Sequence, residues 1–132
     1  MKKILFALSM MAAIQTFGQS NLLESVQSGN FSAVKKVLAS GTNVDQILEV
    51  DGQRMTSLSL ASLKGNVDMV NLLLQKGAIV TLIVDQKDAL MHAAQNGNRE
   101  IVDILLAKGA NVMNETREGM TAWGFAKKAG HT

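Results

Sequence analysis

Asp88 and His92 stand four residues apart, a spacing that places both side chains on one face of a helix. A carboxylate beside an imidazole can move protons in general acid–base catalysis, or supply two ligands to a metal. Neither chemistry is completed by the surroundings. A zinc site needs more than two protein ligands, and no third ligand type clusters with the pair in sequence. The chain has no cysteine, which removes thiolate ligands, disulfides and a cysteine nucleophile. His131, the other histidine, is the penultimate residue and falls in a turn position. No glycine-rich phosphate loop follows a strand, and no nucleophile elbow is present. The carboxylates Asp45, Glu49, Asp51, Asp85, Glu115 and Glu118 fall in loops, where solvated surface charge is the default. The pair therefore reads as an Asp88 helix cap followed by a histidine facing the groove between helices. The expectation is no enzyme, no metal and no cofactor.

The elements that position this pair announce themselves by repetition. "KGNVDMVNLLLQKGA" (Lys64 to Ala78) is written again as "NGNREIVDILLAKGA" (Asn96 to Ala110), 32 residues later, with eight of fifteen positions identical. "SGNFSAVKKVLASGT" (Ser28 to Thr42) is an earlier copy and "AGHT" (Ala129 to Thr132) begins a fourth. The Gly-Asn/His pairs start at 29, 65, 97 and 130. A fixed period in this range marks a stacked repeat architecture. Within each copy, apolar residues fall at Met69, Val70, Leu73 and Leu74, or at Ile101, Val102, Leu105 and Leu106, one stripe on a helix. Upstream of each Gly-Asn turn lies a shorter apolar segment opened by Thr56, Asp88 or Thr121, residues that cap helix N-termini. Each copy is thus a helix, a tight turn, a second helix and an extended loop. The stripes of neighbours must form one core, because no copy can bury its own. The fold class is all-α, with no substantial sheet.

This pattern resembles the ankyrin repeat. "GNREIVDILLAKGANVMN" matches that family's second helix and exit, and "DALMHAA" and "TSLSLAS" match its first helix more loosely. The resemblance covers residues 21–132. It implies an ankyrin-type solenoid with β-hairpin-like loops projecting from one edge, and a non-catalytic protein–protein interaction module. By match to the family's pattern, the contact positions are Gln53, Arg54 and Met55, Leu63 and Lys64, Asp85, Gln86 and Lys87, Gln95 and Asn96, and Arg117, Glu118 and Met120. The partner is a protein whose identity the residues do not give. The long loop from Asp45 to Arg54 is the most distinctive feature and the first choice as a specificity element. Ser57, Ala89 and Ala122 replace the family's proline, and Ser59, Met91 and Gly124 its histidine. Lower stability than a consensus array is expected.

Met69 belongs to the core stripe and Met91 packs beside it. Met55 and Met120 fit either an exposed contact rim or buried hairpin packing. The last copy has only its first helix. Trp123 is expected to seal that open end, the alternative being an anchor for a partner. Self-association through this end is the second functional reading.

The first residues follow another pattern. "MKK", an apolar run from Ile4 to Ile14 and the more polar "QTFGQS" form the order of a secretory signal peptide, expected to be cut after Gly18. The domain reading is a signal peptide over 1–18 and a repeat domain over 19–132, with copies near 21–45, 51–83, 84–115 and a partial one at 116–132. The chain carries 13 basic and 11 acidic residues; without Lys2 and Lys3 the balance is neutral. A neutral, mixed-sign domain has no electrostatic footprint for nucleic acid or an anionic membrane. The expected location is periplasmic or secreted.

Overall fold

The computed structural model describes residues 21–131. The signal-peptide reading of 1–18 lies outside those residues. The order is α1 (21–27), α2 (Phe31–Ala39), β1 (Leu48–Val50), β2 (Gln53–Met55), α3 (Ser57–Lys64), α4 (Val67–Gln75), α5 (Ala89–Asn96), α6 (Arg99–Ala107) and α7 (Ala122–Lys128).

The helices are short, eight or nine residues for α3 to α6, so each depends on its ends and its packing. The ends are chemically specified. Thr56, Asp88 and Thr121 accept hydrogen bonds from the backbone N–H of Ser59, Met91 and Gly124. Asn30, Asn66 and Asn98 do the same for the second helices, from Ala33, Met69 and Ile101. Between first and second helix, Gly65 and Gly97 sit in the left-handed region at φ 72° and 84°, which ends one helix and lets an asparagine start the next.

The first helices α3, α5 and α7 pack side by side in one row, and α4 and α6 in a second. One continuous core runs between the rows. Leu22, Val34, Leu58, Leu60, Met69, Leu73, Leu90, Met91, Ile101 and Leu105 are all fully buried in it. The stripe is narrower than its sequence pattern: Leu74 and Val102 are half-buried, and Leu106 is exposed.

The loop from Asp45 to Arg54 forms all but the last residue of the β1–β2 hairpin, paired Leu48 to Met55, Glu49 to Arg54 and Val50 to Gln53. Its turn, Asp51-Gly52, has both residues at positive φ, the type I′ geometry that an Asp-Gly pair favours. The next loop repeats this in miniature: Val84 and Lys87 bridge around Asp85 and Gln86, both again at positive φ. The third closes with the Thr116 N–H donating to the Met120 carbonyl, with Gly119 at φ 78°. Among the described residues no helix is long and apolar enough to cross a membrane.

Candidate functional site: the hairpin row and the concave face

Three hairpin tips stand in a row and are tied to one another. The Arg54 guanidinium grips the Asp85 carboxylate in a fork, with Nη2 at 2.7 Å and Nε at 3.3 Å. The hydrogen bond from Arg54 holds the Asp85 carboxyl below its ordinary range. Gln86 Oε1 then accepts from the backbone N–H of Arg117 at 2.7 Å. Gln86 carries a left-handed backbone without being glycine, and this bond to the next tip helps hold it there. Behind the tips, Asp45 accepts from Ile79 N–H at 2.9 Å, and the Asn114 amide donates to Asp88 at 3.1 Å. Residues some thirty apart in sequence thus meet one repeat over, and the loops become a preorganised edge.

Gln53, Arg54, Asp85, Gln86, Arg117 and Glu118 all lie exposed along this edge. Lys64, Gln95 and Asn96 are exposed at the C-terminal ends of α3 and α5. Leu63 is half-buried and packs against the core, so it lines the surface rather than projecting from it. Met55 does not belong to the contact set. It is 2% exposed, because it ends β2 opposite Leu48 on the hairpin side that faces the core. Met120 is half-buried, with its sulfur over Gly124. Trp123 does not seal the stack: it is 66% exposed, beside an apolar hollow that includes Leu90, Val102, Val112 and Ala126. The Lys127 ammonium stands 5.0 Å from its ring centre.

Two cavities open between the tips and the first helices. One, about 180 Å³, lies between the first and second hairpins and is lined by Arg54, Asp85, Lys87 and His92, among others. The other, about 380 Å³, lies between the second and third, and includes Lys87, Glu118, Met120, Phe125 and Lys128. Lys87 and Asp85 border both. Phe125 and Lys128 were not among the residues matched to the family pattern. The repeat register carries the signal for Lys128, since it aligns with Gln95 and Leu63.

Asp88 caps α5 as its sequence position predicts and is buried. His92 is 3% exposed, and its Nδ1 has no hydrogen-bond partner among the described residues. Burial first, and the Lys87 charge second, push its imidazole down to about 4, so it is neutral at physiological pH. Both Asp88 oxygens are engaged, by Met91 N–H and the Asn114 amide, so the carboxylate is not offered to His92 as a proton-relay partner. Among the described residues no group of three His, Asp or Glu side chains stands close enough to hold a metal ion.

Paired helices stacked in two rows, with hairpin tips along one edge, define a helical repeat solenoid of the kind whose surface binds other proteins. The chain belongs to the ankyrin repeat family: the model described as ankyrin repeats (3 copies) matches residues 22–116. Such repeats in general mediate protein–protein interaction. A comparison with the curated proteins finds no match to this chain.

Proposed function

We propose that the protein is an exported, non-catalytic adaptor that binds another protein along the hairpin row and the adjoining concave face. The observation that carries this reading is the interlocking of the tips by Arg54–Asp85 and Gln86–Arg117. A partner meets side chains already fixed in relative position, so less conformational entropy is lost on binding. Arg54 and Asp85 are too exposed for their pair to matter much to stability, which leaves orientation as its consequence. The export half of the reading rests on the leader-like residues 1–18.

The test uses residues 19–132 as bait against periplasmic and secreted fractions of the source organism, beside an Arg54→Glu, Arg117→Glu variant. The expected result is a protein retained by the wild type and lost by the variant, with equal melting temperatures. Equal retention by both removes the hairpin row from the interface. Mass measurement of the protein recovered outside the cytoplasm checks export, with an N-terminus at Gln19 expected.

A second reading, self-association, is favoured by one observation. Leu106, Val112, Met113 and Trp123, four of the large exposed apolar side chains, all lie in the last two copies. Val112 and Trp123 line one apolar hollow, and an exposed apolar surface of that kind marks an interaction site.

A further inference from the structure

The repeats supply their own control for what is unusual on the concave face. Immediately before the first-helix cap the copies carry Met55, Lys87 and Met120. Four residues after the cap they carry Leu60, His92 and Phe125. Two copies place an apolar pair there, and the central copy places a lysine over a histidine. The fold does not require this, since Met55 and Leu60 fill the same positions fully buried.

Lys87 is half-buried along its stem, and its ammonium has few protein partners. It stands 4.7 Å from the Phe125 ring centre and 3.5 Å from Gln95 Oε1, the outer limit of a hydrogen bond. An ammonium has three donors. Among the described residues no carboxylate lies within ion-pair distance of it. The neighbouring acids are committed or remote: Asp85 is held by Arg54, Asp88 by Met91 N–H and Asn114, and Glu118 lies across the wider cavity. His92 beneath is neutral, so the imidazole adds no positive charge; Arg54 borders the smaller cavity and is paired with Asp85, and Lys128 borders the larger one. An ammonium with no ion-pair partner among the described residues offers an incoming anion a charge-assisted hydrogen bond.

We infer that Lys87 is the seat for a side-chain carboxylate of the partner protein, borne on a segment that places an adjacent aliphatic side chain against Met120 and Phe125. This deepens the adaptor reading and rests on it. The two cavities meet at Lys87, the smaller and more polar one beside His92, the larger one walled by Met120 and Phe125. An Asp or Glu followed by an aliphatic residue matches that sequence of surfaces. A charge-assisted bond from the Lys87 ammonium discriminates against an uncharged isostere.

Two capped tetrapeptides, Ac-Gly-Glu-Leu-Gly-NH2 and Ac-Gly-Gln-Leu-Gly-NH2, serve as probes. Each is titrated into residues 19–132 while the His92 ring, Lys87 and Phe125 resonances are followed by NMR. The glutamate probe is expected to shift all three saturably with a Kd on the order of millimolar, and to bind about tenfold more tightly than the glutamine probe. Lys87→Met, which installs the residue of the aligned copies, is expected to abolish that preference without lowering the melting temperature. Equal binding of the two probes, a preference that survives Lys87→Met, or no shift at the solubility limit overturns the assignment. Capture experiments separate this from the wider reading. A partner lost by the Arg54→Glu, Arg117→Glu bait but retained by Lys87→Met sinks the carboxylate seat and leaves the hairpin row standing. A partner retained by both sinks the row itself.

Discussion

At the scale of single residues, His92 makes the sharpest claim. Its imidazole is neutral in the folded protein down to about pH 4. In the unfolded chain it takes a proton near its ordinary value of about 6.5. The unfolded state therefore binds more protons between those values, and stability falls as pH falls from about 6.5 to about 4. Over that window the difference is worth about 3 kcal/mol. Urea unfolding at pH 7 and pH 4 is expected to show the wild type losing about that much more than His92→Leu. Leucine is a fair replacement, because Leu60 occupies the aligned position. Parallel pH profiles for the two proteins would mean that His92 takes up its proton equally in the folded and unfolded states. The helical spacing from Asp88 put the pair on one face, and the capping role followed from residue type alone. That His92 would be nearly inaccessible, with an unpartnered Nδ1, was not legible, because the atoms that bury it come from neighbouring elements.

At the scale of elements, the turns do more than end helices. Gly65 has φ 72°, and a Cβ built there would lie 2.8 Å from the Asn96 side-chain oxygen of the next repeat. Its carbonyl also receives the Asn98 amide at 3.4 Å. Gly77 has φ 92° with open space around the same atom. Both positions disfavour alanine by about 1 kcal/mol or more through backbone strain. Only Gly65→Ala must also displace a neighbour. Thermal unfolding should therefore place Gly65→Ala below Gly77→Ala, and identical melting temperatures would show that the inter-repeat contact contributes nothing. Helix positions and caps were readable because the stripe, the Gly-Asn turn and the capping residues are local signals. The first hairpin was foreshadowed by Asp51-Gly52, whereas the Asp85-Gln86 turn carries no such signal. The bond from the Arg117 backbone N–H to the Gln86 side chain joins residues 31 apart, beyond any local pattern.

At the scale of the whole molecule, each copy rests on its neighbours, so surfaces at the end of the row differ from those within it. Within the row, α5 is covered by α3 and α7, and all of its first six residues are buried. In α7 only Ala122 is buried, and Trp123 stands outside beside an apolar hollow of about 410 Å³. If that edge joins two copies, sedimentation at rising concentration will show a dimer that Trp123→Ala weakens. A monomer at every concentration removes self-association and leaves the adaptor reading alone.

The sequence by itself determined the repeat, its period, the helix pairs and the family, because stripes, caps and turn glycines act over a few residues and recur in phase. The match to the family's pattern also pointed to tip residues that lie exposed, among them Gln53, Arg54, Asp85, Gln86, Arg117 and Glu118. Only the tertiary structure decided that Met55 is core while Lys87, at the aligned position, is half-buried with no ion-pair partner among the described residues. It alone showed Trp123 exposed and the tips chained together. Burial, pairing and desolvation depend on which atoms arrive from other repeats, and a one-dimensional pattern does not contain that information.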